Sequence, residues 1–268
     1  MSVAQKVAAV SSGRFPVTGA GVCAGDIGSI VSCMRVEIWS DVVCPWCYIG
    51  KRRFETALAR VQHLPGAADI EVVYKPYQLD PTASPGKAQP VVEAYAKKFG
   101  GHERAEQIIE QLTAVAAADG IEFHMDRALR ANTLLAHRLL WFAETHGDQI
   151  AMKERLLRAY FTEGLNIGEP EVLVTCATEC GFDADEVRTM LSSDAGHGEV
   201  MEDLAVAAAN GITAVPTFVI NGQWAIPGAQ DADVFERALE RLLSRELQDT
   251  PKAEPQDAQA CVDDACDV

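Results

Sequence analysis

The spacing of apolar residues in the first part of the chain predicts a strand, a helix and a second strand. Val36 and Ile38 alternate with polar or aromatic neighbours across residues 35–40, which is typical of a short strand. Apolar residues recur at helical spacing across residues 50–60, and strand character returns across residues 71–79. A β-α-β unit of this length favours two parallel strands joined by a right-handed crossover.

Helical spacing then dominates the middle of the chain. Prolines and a glycine mark residues 80–90 as a loop, and apolar stripes at helical spacing follow for more than a hundred residues. Strand character returns at residues 215–220, and the Asn221-Gly222 turn leads into residues 224–226, so these two segments are predicted to form an antiparallel hairpin. An amphipathic helix at about residues 231–247 ends the pattern.

The predicted order is therefore β-α-β, a helical insertion and β-β-α, an α/β fold. Residues 34–79 and 212–247 are expected to form one domain, with residues 80–211 as a helical insertion domain between its halves. Residues 1–33 are rich in Gly, Ser, Ala and Val, and we expect them to be a disordered extension. Residues 248–268 are expected to be an acidic tail, because residues 249–268 hold six Asp and Glu against one Lys.

Charge and hydropathy exclude several classes of partner. The formal net charge of -16 argues against nucleic acid, because phosphates repel such a surface. No apolar stretch approaches the roughly 18 residues that a membrane span requires, which argues against a membrane partner. Polar residues and Pro16 interrupt the apolar positions near the start, so no secretory signal is predicted and we expect a cytoplasmic location.

Candidate chemistry lies at Cys44-Pro45-Trp46-Cys47, between the first predicted strand and helix. A cysteine at the first turn of a helix is near unpaired backbone N–H groups and the positive end of the helix dipole, which stabilise a thiolate. Cys44 is therefore the predicted nucleophile and Cys47 the resolving thiol, while Pro45 and Trp46 tune potential and access. The same spacing suits half of a zinc site, but the sequence has no second Cys-x2-Cys or His-x3-His pattern, so we predict redox chemistry and no metal.

The motif has a wider context. Residues 40–51, the later segment Val215-Pro216-Thr217-Phe218 and the helical insertion between them resemble the DsbA-like thioredoxin family, and within it the FrnE-like branch. The resemblance covers roughly residues 34–247. It implies a thioredoxin-like fold and thiol-disulfide oxidoreductase or isomerase activity through a redox-active disulfide, without a metal or organic cofactor.

The resemblance also implies roles for individual residues and partners. Pro216 would be a cis proline facing the dithiol, and the Val215 backbone would pair with an incoming substrate strand. Pro45, Trp46, Val215 and Pro216 are thus the candidate substrate-binding residues. Expected partners are protein or small-molecule thiols and disulfides and a reductase, with glutathione as a cosubstrate in some members.

A second cysteine pair, Cys261 and Cys266, lies in the acidic tail, and a Cys-x4-Cys pair of this kind also resembles some FrnE-like proteins. A linker of about 12 residues spans at most about 40 Å, which is enough to reach the first motif. Neighbouring carboxylates raise the pKa of such thiols and make them electron donors rather than first nucleophiles. We hypothesise an auxiliary shuttle dithiol; the alternative is an acidic tail with incidental cysteines.

Two other functions stay open at this point. Glutathione-dependent isomerases and kappa-type glutathione transferases share the resemblance, but their first cysteine position is usually serine and their second is not cysteine. A non-catalytic module that binds a peptide or partner is the other alternative. Cys176, Cys180, His124, His137 and Trp39 are expected to be structural or surface residues.

Overall fold

The computed structural model of the protein describes residues 8–9 and 34–249. The described strands are β1 (Ala8–Ala9), β2 (Arg35–Ser40), β3 (Glu71–Pro76), β4 (Gln89–Pro90), β5 (Leu129–Arg130), β6 (Thr217–Ile220) and β7 (Trp224–Pro227). The described α-helices are α1 (Pro45–Val61), α2 (Val91–Phe99), α3 (His102–Ala118), α4 (Leu134–His146), α5 (Gln149–Phe161), α6 (Pro170–Glu179), α7 (Ala184–Ser192), α8 (His197–Ala209) and α9 (Ala232–Asp249).

One mixed sheet joins the two ends of the fold. Its strand order is β1-β7-β6-β2-β3, with β2 and β3 parallel and the other neighbours antiparallel. The predicted β-α-β and β-β-α units are confirmed, and the pairing of β2 with β6 joins them. The helices α2–α8 lie between these units in the chain, as predicted for a helical insertion. Strands β4 and β5 form a separate small sheet within that segment.

The strand bounds differ from the prediction where side chains take over backbone hydrogen bonds. β2 has the predicted bounds, but β3 ends at Pro76, three residues before the predicted end. After Pro76 the Tyr77 carbonyl oxygen lies 3.0 Å from His137 Nε2, and the Leu79 N–H donates to the Asp41 carboxylate. These partners replace a neighbouring strand, so the chain leaves the sheet there.

Three apolar clusters support the fold, and the smallest contains Trp39 and Val219 of the sheet. The first lies between the sheet and helices α1 and α9, where the rings of Phe54, Phe218 and Phe235 have centroids 4.5–5.4 Å apart. The second fills the helical insertion and also contains Val42 and Tyr48, which flank the cysteine motif. The motif therefore begins a helix whose first turn is packed against the insertion and whose later turns are packed against the sheet.

The two predicted terminal segments are only partly covered. Ala8–Ala9, within the predicted N-terminal extension, pairs with Trp224 and Ala225 at the edge of the sheet. The remainder of that extension and residues 250–268, with Cys261 and Cys266, lie outside the described residues. Within the described ranges, no helix is both long enough and apolar enough to cross a membrane.

Candidate active site at the start of helix α1

Cys44 is the residue that caps the N-terminus of α1. Its backbone is extended (φ -89°, ψ 115°), Pro45 begins the helix, and the Cys44 carbonyl accepts hydrogen bonds from the N–H groups of Cys47 (3.0 Å) and Tyr48 (3.4 Å). Proline suits the first helical position because its fixed φ is already helical and the missing N–H has no partner there. The local sequence thus places the Cys44 thiol at the positive end of the helix.

The Cys44 thiol faces the loop before β6. Cys44 Sγ donates to the carbonyl oxygen of Val215 at 3.7 Å. The Val215–Pro216 peptide is cis, as the family resemblance implied. A Cβ atom at Gly50 would lie only 3.0 Å from Pro216 Cγ, so glycine at this position lets α1 approach the proline closely. The sequence-predicted residues Cys44, Val215 and Pro216 are therefore neighbours, although 171 positions separate the first two.

The Cys47 thiol is buried behind Cys44, and burial changes its acidity. Both thiols are free, and Cys47 is 3% exposed. Burial, followed by the hydrogen bond with Cys44, raises the pKa of the Cys47 thiol well above its ordinary value. A thiol of this kind stays protonated near neutral pH, which suits the resolving step rather than first attack.

Access to the motif is uneven. Trp46 is 43% exposed, whereas Cys44 beside it is 4% exposed. An aromatic ring in this position offers a large apolar contact surface next to a nearly buried nucleophile. Exposed Trp46 and the loop at Val215 therefore adjoin Cys44 and offer contact surfaces next to it.

A groove with a cavity volume of about 90 Å³ lies between the loop that precedes Cys44 and the insertion. Its wall includes Val43 next to the nucleophile and the exposed ring of Phe99. Lys98 supplies positive charge, whereas the charge of Arg130 is paired with Asp80, which also lines the groove. Burial, together with the charge of Cys44, raises the pKa of Tyr95 in this wall to about 12. The groove therefore lies within electrostatic reach of Cys44, and its wall combines apolar side chains with charges of both signs.

Asp41 holds the turn before the motif, a role that sequence reasoning did not find. Its buried carboxylate accepts from the N–H groups of Val42 (2.8 Å) and Leu79 (2.8 Å) and lies 3.2 Å from His137 Nε2. His137 Nε2 is also 3.0 Å from the Tyr77 carbonyl oxygen, which can only accept, so this nitrogen carries a hydrogen. The expected structural role of His137 is confirmed: it connects helix α4 of the insertion to the cysteine loop.

Lys153 is the second residue that sequence reasoning missed. It lies on α5, is 1% exposed, and its Nζ is 5.3 Å from the centre of the Tyr74 ring. Nζ has no hydrogen-bond partner among the residues that the structure describes. Burial lowers the pKa of Lys153 to about 8. The available signal was its position in the apolar helical stripe that continues through Leu156 and Leu157.

The alternative reading of Cys44 and Cys47 as half of a zinc site would require further ligands nearby. Across residues 8–9 and 34–249, no group of three or more His, Cys, Asp or Glu side chains is arranged to hold a metal ion. Cys176 is buried in the core of the insertion and Cys180 packs against it, in agreement with their expected structural role.

The sequence model of the DSBA-like thioredoxin domain matches residues 35–240, which include every strand of the sheet except β1. The chain belongs to the DSBA-like thioredoxin domain family. This family works through a redox-active disulfide and without a bound cofactor. The match confirms the fold that the motif resemblance implied and places Cys44, Cys47 and Pro216 inside the family domain.

Several known proteins are similar to this DSBA-like chain. YwbO of Bacillus subtilis strain 168 is 31% identical over 208 residues, covering 77% of this chain and 96% of YwbO. The structure of SCO1869 from Streptomyces coelicolor, described as a probable DsbA oxidoreductase, has 37% identity and a TM-score of 0.73, covering 88% of this chain and 99% of its own. The cytosolic disulfide reductase DsbM of Pseudomonas aeruginosa shares the fold, with 19% identity, a TM-score of 0.52 and coverage of 79% and 99%.

Proposed function

We propose that the protein exchanges disulfides with thiol or disulfide substrates through Cys44 and Cys47. The observation that carries the proposal is the Cys44 thiol at the N-terminus of α1, directed at the carbonyl of Val215 before cis-Pro216. This arrangement joins a thiolate-stabilising helix end to a backbone edge that can pair with a substrate. Oxidation, reduction and isomerisation of disulfides all use this one chemical step.

The reaction balances without any other group. The Cys44 thiolate attacks one sulfur of a substrate disulfide, a Cys44–substrate disulfide forms, and the other substrate sulfur leaves as a thiolate. The Cys47 thiolate then attacks Cys44 Sγ, the internal disulfide closes, and the second substrate thiolate leaves. The substrate disulfide is reduced to two thiols while the protein dithiol is oxidised; the reverse sequence oxidises a substrate.

The proposed substrate contacts follow the same geometry. Val215 and Pro216 form the backbone edge opposite Cys44. Trp46 is the exposed residue beside Cys44, whereas Pro45 is buried and would shape the site from beneath. Glutathione is the proposed small cosubstrate, because Lys98 in the groove can pair with one of its carboxylates, whereas Arg130 is already paired with Asp80. DsbM, which shares the fold, has been crystallised with glutathione. Because both positions of the motif hold cysteine, we favour disulfide exchange over three alternatives: a glutathione-dependent isomerase of the hydroxychromene type, a kappa-type glutathione transferase and a partner-binding module.

The test is equilibration of the full chain in glutathione buffers of graded potential, followed by acid quenching, thiol alkylation and mass spectrometry. We expect Cys44 and Cys47 to oxidise together as one two-electron couple, with a tenfold change in equilibrium constant per about 30 mV. Cys176→Ser is the matched control and leaves the curve unchanged, because Cys176 is buried in the insertion core. Single glutathione adducts without an internal disulfide at any potential would contradict the proposal.

The C-terminal pair is a second part of the proposal. Cys261 and Cys266 lie outside the described residues, and their role as an electron-donating shuttle rests on the sequence. If they relay electrons, the double variant Cys261→Ser, Cys266→Ser slows steady-state turnover with a reductase by about tenfold. The single-turnover reaction of Cys44 with a small disulfide stays within twofold. A truncation after Leu247 serves as the second variant, and equal turnover in all three proteins excludes the shuttle.

The setting of the reaction belongs to the same proposal. We place the reaction in the cytoplasm, because DsbM, a cytosolic disulfide reductase, shares this fold. A cytoplasmic dithiol needs a reductase or a thiol pool to reset it. The narrower FrnE-like resemblance also stays a prediction.

A further inference from the structure

We infer that Thr217 is a positioning residue for polypeptide substrates, because its hydroxyl holds the turn that directs the Val215 carbonyl at Cys44. The inference rests on the proposed exchange reaction and adds the side chain that sets its substrate-binding edge. Cys44 Sγ lies 3.7 Å from the Val215 carbonyl oxygen. A polypeptide held at Cys44 therefore has this carbonyl as a backbone acceptor, whereas a small disulfide without peptide groups has no N–H to donate to it.

The Thr217 hydroxyl reaches across the cis peptide bond. Thr217 is the first residue of β6, and its Oγ1 donates to the carbonyl oxygen of Ala214 at 2.9 Å. The cis bond between Val215 and Pro216 lies between these two groups in the chain. The hydrogen bond thus closes a turn of residues 214–217 and restricts rotation of the Val215 backbone, which carries the carbonyl that faces Cys44.

Other contacts hold the remaining parts of this turn. Thr217 is held in register between β2 and β7, and the Pro216 carbonyl accepts from the Gly228 N–H at 2.8 Å. Val215 packs against the smallest apolar cluster, whose buried members are Trp39, Ala207, Ile212 and Val219. Ala214 is exposed, so the hydrogen bond from Thr217 connects this end of the turn to the sheet.

Packing alone does not require a hydroxyl at position 217. Thr217 is 8% exposed, and an unpaired hydroxyl in such a position would destabilise the fold. Valine has the same branched shape and suits a strand equally well. Because Ala214 is exposed, water can reach its carbonyl when the hydroxyl is removed. The hydroxyl therefore contributes more to the direction of the turn than to the stability of the fold.

Loss of this hydrogen bond is expected to weaken the binding of a polypeptide and to leave the attacking thiol in place. The backbone hydrogen bonds of Cys44 are made with Asp41, Cys47 and Tyr48, so the turn can shift without moving them. A single hydrogen bond of ordinary strength corresponds to about a fivefold change in affinity. Thr217 thus acts through Val215 on substrate affinity and takes no part in the exchange of sulfur atoms.

The test compares a polypeptide and a small disulfide as substrates of the full chain. Insulin is reduced by the protein with a thiol reductant, and variation of the insulin concentration separates KM from kcat. The small disulfide is 5,5′-dithiobis(2-nitrobenzoate), whose reaction with the reduced protein is followed by stopped flow. For Thr217→Val we expect KM for insulin to rise about fivefold, while kcat and the first release of thionitrobenzoate stay within about twofold of wild type.

Two control variants separate positioning from a general loss of structure. Thr217→Ser keeps the hydroxyl and is expected to return KM to within about twofold of wild type. Thr178→Val removes a hydroxyl that donates to the Val174 carbonyl at 2.9 Å on α6, and it leaves both reactions unchanged.

Three results overturn the inference: a KM for Thr217→Val that matches wild type, a KM for Thr217→Ser that matches Thr217→Val, or equal slowing with both substrates. A wild-type protein that reduces neither insulin nor the small disulfide instead refutes the proposed exchange reaction itself.

Discussion

Replacing Cys44 by serine is expected to lower thiol-disulfide exchange by about a thousandfold or more. A hydroxyl cannot form a mixed disulfide, and the remaining thiol of the motif is a poor substitute because Cys47 is 3% exposed and its pKa is raised by burial. The measurement is the reduction of insulin with a thiol reductant, followed by the turbidity of the released chains.

Cys47→Ser is the matched variant for this experiment. It keeps the attacking thiol at the helix N-terminus, so it is expected to accumulate the Cys44–substrate mixed disulfide, which mass spectrometry detects as a covalent adduct. Equal insulin reduction by wild type and Cys44→Ser would place the exchange chemistry outside this motif. Adduct formation by Cys44→Ser at the level of Cys47→Ser would show that Cys44 is not the attacking thiol.

The second large effect concerns folding. Asp41→Ala is expected to lower the free energy of unfolding by about 3–5 kcal/mol, because it removes a buried carboxylate from its hydrogen-bonded partners. The N–H groups of Val42 and Leu79 then have no acceptor in that position, and His137 loses its anionic partner. Urea denaturation followed by circular dichroism measures the change.

A matched carboxylate tests whether burial is the cause. Asp183 caps helix α7 and accepts from the N–H groups of Asp185 and Glu186 at the surface, where an alanine replacement costs about 1 kcal/mol. If Asp41→Ala costs no more than Asp183→Ala, the network around Asp41 does not hold the cysteine loop. Asp41→Asn is expected to fall between the two, since it keeps the shape and one acceptor oxygen.

Local patterns in the sequence predicted the elements of this fold well. Alternation defined β2 to the residue, and the Asn221-Gly222 turn predicted the pairing of β6 with β7. The cysteine motif, with the resemblance that it carries, placed Cys44 at a helix start and implied cis-Pro216. These features depend on residues within a few positions of one another, or on a family motif whose residues occur together.

The buried charges could not be predicted in the same way. Asp41 and His137 are 96 positions apart, and their contact exists only because α4 packs beside the end of β3. The environment of Lys153 could not be predicted from the apolar stripe of α5, because a helical pattern does not say which side chain of another element, here Tyr74, lies beside a buried position. The early end of β3 at Pro76 has the same origin, since side chains distant in sequence receive its backbone groups.

The cysteine motif and the helical insertion share one apolar core. Val42, Tyr48 and Ile49, on both sides of the two cysteines, are buried among residues of the helical insertion. A shortened protein that kept the sheet with α1 and α9 alone would expose these three side chains to water. The sheet with α1 and α9 therefore cannot hold the dithiol in place without the insertion. A substitution in the insertion that changes the groove also acts on the core that packs against the cysteine motif.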